Sequence, residues 1–161
     1  MNIVIDSRQR AKRVNSRLLK LIVAELLAQL KITDAEIGIN LVAAREMALV
    51  NETFLNHAGS TDVITFDHSS AEQETRSAEL EIHAELFVCI DDAILQAKQF
   101  QTSWQSEVVR YIVHGVLHLI GHDDLKPQLH RKMKSEENRL VRRLSKKFSL
   151  AQISGAPKLR A

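Results

Sequence analysis

Apolar residues recur at two alternating periods along this chain, which restricts it to folds in which helices cover a sheet. Ile3 to Ile5 is a short β-branched run closed by Asp6-Ser7, the pattern of an edge strand. From Ser7 to Leu30 the apolar residues, among them Leu18, Ile22, Leu26 and Leu30, fall at three- and four-residue steps and predict a helix. Glu36 to Ala43 alternates through Ile37, Ile39 and Leu41 as a half-buried strand. Ala44 to Leu55 predicts a short helix, Asn56 to Ser60 a turn, and Val63 to Phe66 another strand. His68 to Ser77 is polar and predicts a loop. Glu79 to Ile90 first alternates and then becomes continuously apolar, which suits an inner strand.

Three helices close the pattern. Asp91-Asp92 can cap one that reaches about Phe100, and Thr102 or Ser103 can cap another that runs to Ile120, where Gly121 supplies a stop. Pro127 suits the first turn of the last, which carries Leu129, Met133, Leu140 and Leu144. The order is β-α-β-α-β-β-α-α-α. It predicts one α/β (α+β) domain over residues 1–148, with helices packed on a small mixed β-sheet. Residues 149–161, with Gly155 and Pro157, are expected to form a flexible basic tail.

At 161 residues the chain can bury one sizeable core, and with aromatics at 4% that core must be aliphatic. A formal net charge of +2 does not by itself announce nucleic-acid binding. The basic residues cluster, however: seven Lys or Arg and no acid lie between Arg139 and Ala161, on an otherwise acidic chain. A second cluster, Arg8 to Lys20, opens the first predicted helix, where positive charge opposes the helix dipole. Both are read as solvated faces. The single cysteine, Cys89, sits in an apolar run as a buried thiol; it excludes an intramolecular disulfide and Cys-rich metal sites, and no disulfide-linked partner is expected. The start lacks a positive segment followed by a long apolar stretch, and no apolar run nears the ~20 residues of a membrane span. The expectation is a cytoplasmic protein.

The chemistry lies in His114-Gly115-Val116-Leu117-His118-Leu119-Ile120-Gly121-His122-Asp123-Asp124. Two histidines four residues apart share one helix face, a turn apart, and can share a tetrahedral ion. A glycine three residues later lets the backbone leave the helix and swing a third ligand back. His122, Asp123 and Asp124 all follow Gly121, and both imidazole and carboxylate are ordinary zinc ligands. Three protein ligands leave a coordination position open, whereas a structural site would be closed by a fourth, for which His122 or His57 would serve. A zinc peptidase with this spacing needs Glu after the first histidine as general base; this chain has Gly115, which excludes that activity.

The same stretch resembles the signature His-Gly-x-Leu-His-Leu-x-Gly-x-Asp-His of the YbeY family, bacterial endoribonucleases of ribosomal RNA maturation. Ser60-Thr61-Asp62-Val63-Ile64-Thr65-Phe66 is similar to the family's Pro-Thr-Asp-Val-Leu-Ser-Phe, and Val50-Asn51 loosely echoes its Leu-Asn. The resemblance implies a zinc-containing α/β domain that hydrolyses single-stranded RNA, with rRNA and the small ribosomal subunit as partners. It implies one zinc ion on His114, His118 and Asp124, the last standing where the family has a third histidine. The family's Arg before the Thr-Asp strand falls at Leu55, and its Gly-Asp before the inner strand at Ala84-Glu85. Zinc would activate a water for attack on the phosphodiester. No protein base is assigned, with His122, Asp123 and Glu85 the residues nearest to that role. A metal-dependent hydrolase of another substrate, or an RNA- or ribosome-binding factor with structural zinc, are the alternatives.

Overall fold

Four strands form one sheet in the computed structural model, which describes residues 1–69 and 80–155. They are β1 (Asn2–Ser7), β2 (Ile32–Val42), β3 (Val63–Asp67) and β4 (Leu80–Cys89), in the spatial order β1-β2-β4-β3. β1 and β4 run parallel to β2, while β3 is antiparallel to β4, so the sheet is mixed. The continuously apolar β4 is an inner strand and β1 an edge, as their patterns predict. The helices are α1 (Ser16–Gln29), α2 (Ala44–Leu55), α3 (Ile90–Phe100), α4 (Trp104–Leu119) and α5 (Pro127–Lys147).

Strand alternation divides the sheet's residues between two faces. Ile37, Ile39, Leu86 and Val88 join Leu19, Val23 and Leu26 of α1 and Ile112, Val113 and Val116 of α4 in the main core, each at most 2% exposed. On the other face Met47 of α2 packs with Val42, Ile64 and Cys89, and Phe66 and Phe87 lie against them. Each fully buried aliphatic side chain contributes about 1.5–3 kcal/mol of burial free energy, so the aliphatic core carries the fold despite the shortage of aromatics. α5 packs on α4 and α1. Among the described residues no helix is long and apolar enough to cross a membrane.

Several boundaries differ from expectation for physical reasons. α1 starts at Ser16 rather than Ser7, because Asn15 caps it: its side chain accepts from Leu18 N at 3.1 Å. Arg8, Arg10, Lys12 and Arg13 therefore precede the helix, which leaves only Arg17 and Lys20 of the cluster opposing its dipole. β2 begins at Ile32, earlier than its alternation shows. Asp91 and Asp92 lie in the first turn of α3, whose N-cap is Cys89, and Asp91 Oδ2 instead accepts from Ala44 N of α2 at 2.6 Å. Ser103 caps α4 through Ser106 N, and Pro127 opens α5.

The chain beyond Phe148 does not come loose where expected. Leu150–Ile153 forms a 3-10 turn, and Ile153 is completely buried in the main core. Asn15 N donates to Ile153 O at 2.7 Å, and Gly155 N donates to Arg13 O at 3.2 Å. Buried Ile153, flanked by the partly buried Phe148 and Leu150, and these backbone bonds hold the segment. Most of the predicted polar loop (from residue 70) and the last six residues of the predicted tail lie outside the described residues.

Candidate metal centre

His114 and His118 project from one face of α4, with their Nε2 atoms 3.1 Å apart. Their other ring nitrogens are both occupied. His118 Nδ1 lies 3.1 Å from the carbonyl oxygen of His122, and His114 Nδ1 lies 3.0 Å from Glu137 Oε2. A carbonyl and a carboxylate only accept, so each neutral ring carries its proton on Nδ1 and a lone pair on Nε2. Two lone pairs 3.1 Å apart repel unless a proton or a metal cation lies between them. Two nitrogens on a tetrahedral zinc sit ~3.3 Å apart, so the pair has the spacing of that site's edge.

Gly115 fixes how closely this face approaches the sheet. A Cβ there would lie 2.8 Å from Leu86 Cδ2 of β4 and 3.0 Å from Thr65 Cγ2 of β3. The position that carries the general base in zinc peptidases is thus packed against strands and has no room for any side chain.

After Ile120 the backbone turns through Gly121, whose φ of +102° is the left-handed conformation glycine adopts freely. His122 N donates to Leu117 O at 3.0 Å, which closes the turn and aims the His122 carbonyl back at His118. Asp124 returns to the pair: its Oδ2 stands 3.9 Å from His114 Nε2 and 3.8 Å from His118 Nε2. Among the described residues, His114, His118 and Asp124 form the one group whose ligand atoms all lie within 4.8 Å of one another. The carboxylate would close in by about half an ångström to complete a tetrahedral face around zinc.

The other residues singled out in the sequence lie apart from this group. Asp123 Oδ1 accepts from Leu125 N at 2.8 Å and shapes its own turn. His122 supplies a carbonyl rather than its ring. Glu85 is on the opposite face of β4 from Leu86 and accepts from Asn40 Nδ2 at 2.9 Å, so strand alternation removes it as a base. His57 and Leu55 line a hollow beside the pair, together with Asn51, Thr61, Asp62 and Thr65. No fourth protein ligand closes the group among the described residues. A second hollow on the other side of His114 is bordered by Asp62, Arg110, His130, Lys134 and Glu137.

Glu137 and Arg110 have no place in the sequence reading, and Asp62 enters it only as part of the Thr61-Asp62 stretch, with no role. Glu137 is 4% exposed, and Arg110 Nη1 donates to its Oε1 at 2.8 Å. Burial by itself would push the Glu137 carboxyl up, but hydrogen bonds from His114 and Arg110 bring it down to about 2. The same bond to Glu137 raises His114 above the ordinary histidine value, against a burial that would lower it. A signal for Glu137 does exist, since it occupies an apolar position of α5 between Met133 and Leu140.

Comparison with known proteins adds family and fold. The family model described as Endoribonuclease YbeY matches residues 4–145. Relatives bearing that name include one from Salinibacter ruber, 36% identical over 93 residues, which are 57% of this chain and 59% of the relative. Another, from Anaeromyxobacter sp., is 32% identical over 142 residues, 88% of this chain and 71% of the relative. The chain thus spans about three fifths of the Salinibacter relative and more of the second. A solution structure from Thermotoga maritima superposes with a TM-score of 0.64 at 22% identity, covering 98% of this chain and 99% of that one. At that identity it speaks for the fold alone.

Proposed function

The chain belongs to the Endoribonuclease YbeY family, and on that premise we propose that it is a zinc-dependent endoribonuclease of single-stranded RNA, acting in the cytoplasm on ribosomal RNA at the small ribosomal subunit. The observation that carries the metal is the pair of facing Nε2 lone pairs, with the Asp124 carboxylate turned back toward them. His114, His118 and Asp124 would hold one zinc ion, and the lack of a fourth protein ligand among the described residues favours a catalytic over a structural site. A bound zinc supplies Lewis-acid activation of water and polarisation of a phosphoryl oxygen.

The chain's own side chains supply the rest. RNA enters across the hollow beside β3, where Thr61 and Thr65 offer hydrogen bonds to sugar and base edges. That hollow has no Lys or Arg in its lining and holds Leu55 where the family carries Arg. In the other hollow Arg110 is committed to Glu137 and Asn138, and the half-exposed Lys134 is the cation left to face a phosphate, so the phosphodiester chain runs toward α5. Proton transfer falls to His57 or Asp62, the titratable side chains of the first hollow that are not ligands.

Zinc analysis and cleavage of a single-stranded oligoribonucleotide, with and without chelator, test the reading. The expected result is stoichiometric zinc and cleavage that the chelator abolishes. Stoichiometric zinc with RNA binding and no cleavage would replace it with the structural-zinc reading.

A further inference from the structure

The two ligand histidines are oriented by different means, and the device behind His114 is unusual in cost. Glu137 stands on the buried stripe of α5, where Met133, Leu140, Val141 and Leu144 are its apolar neighbours, with its side chain 5% exposed. A buried carboxylate is tolerated when its oxygens are bonded and its charge is paired. Both conditions are met here. Oε2 faces His114 Nδ1 at 3.0 Å, while Oε1 accepts from Arg110 Nη1 at 2.8 Å and from Lys134 Nζ at 3.4 Å. Arg110 is itself held by Asn138 Oδ1 at 2.7 Å, so it cannot swing away and leave the carboxylate free to turn.

The contacts on Oε1 fix the carboxylate, and Oε2 is left to face one imidazole nitrogen. Packing alone would be served by a leucine or methionine in this stripe, as at its neighbouring positions. A carboxylate adds what those residues lack, an acceptor-only partner for His114 Nδ1.

We propose that Glu137 is a positioning residue, whose carboxylate, held by Arg110 between α4 and α5, keeps the His114 proton on Nδ1 and its Nε2 lone pair facing Asp124 and His118. This rests on the reading that His114 is a metal ligand. Partners of this kind fix the ring and raise ligand basicity, and their loss costs about 10–100-fold in metal affinity. Asp124 and His118 are held by the turn through Gly121, so their contribution does not depend on Glu137.

The test is a zinc competition titration against a chromophoric chelator, combined with imidazole nitrogen NMR on labelled protein. In the metal-free wild type, above the pH at which the ring ionises, His114 should carry its proton on Nδ1, and zinc should bind Nε2. Glu137→Gln should weaken zinc about 10–100-fold and mix the His114 tautomers, while His118 keeps its Nδ1 proton. A purely structural role would not move the His114 tautomer. Wild-type zinc affinity in Glu137→Gln, or a wild-type His114 protonated on Nε2, would overturn the proposal. The wild-type spectrum decides even if the variant does not fold. A wild-type chain that takes up no zinc would sink the metal reading as well, and is told apart by that first titration.

Discussion

His114 and His118 have the same chemistry and the same helix face, yet one is held from a distance and the other by its neighbours. The His118 ring is fixed by the carbonyl of His122, four residues on, through a turn that Gly121 makes possible. The His114 ring is fixed by Glu137, twenty-three residues on, through the docking of α5 onto α4. Local sequence therefore builds half of the site, and tertiary packing builds the other half. Damage to each half should read out differently.

The largest effect should come from removing the histidine of either half. His118→Ala or His114→Ala should abolish stoichiometric zinc while leaving a folded chain, as elemental analysis and circular dichroism would report. Undiminished zinc in either variant would mean that the ion, if any, binds elsewhere. Asp124→Ala should come next, with zinc bound much more weakly. Asp124→His should retain the metal, because imidazole is an equally competent ligand although longer than carboxylate.

Gly121→Ala sharpens the comparison from the local side. A Cβ in the left-handed region costs about 1–2 kcal/mol, and the strain falls on the turn that carries both the His122 carbonyl and Asp124. Its denaturation midpoint should fall, and zinc should weaken while the His114 tautomer stays in place. Gly115→Ala should instead destabilise the packing of α4 on the sheet, by about 1–3 kcal/mol, since its Cβ would meet Leu86 and Thr65. The smallest effect belongs to His122→Ala, which keeps the backbone carbonyl that His118 uses. Emptying of the site by that variant would contradict the assignment of Asp124 as third ligand.

The same division explains what could be read in the sequence. The order of elements, the mixed sheet and the inner position of β4 follow from periods of apolar residues, which local sequence displays. The pairing of His114 with His118 follows from helix spacing, equally local, whereas the choice of Asp124 over His122 and Asp123 rests on the family resemblance. The start of α1 was misplaced because helical spacing continues through Val14 past the Asn15 cap. The burial of Ile153 is not legible in the sequence because the few apolar residues around it, such as Leu150, are too short a run to show a period. Glu137 and Arg110 meet across α5 and α4, and spacing along either helix does not reveal which residues face each other. Glu85 looked close to the motif in the family pattern but belongs to the far face of its strand.

One measurement bears most directly on the account as a whole. Protein stripped with a chelator is titrated with zinc, and cleavage of a single-stranded oligoribonucleotide is followed at each point beside the same titration of His118→Ala. The account predicts that cleavage returns in proportion to zinc and saturates at one ion per chain, with no return in the variant. Cleavage by the stripped protein, or full recovery in His118→Ala, would contradict it.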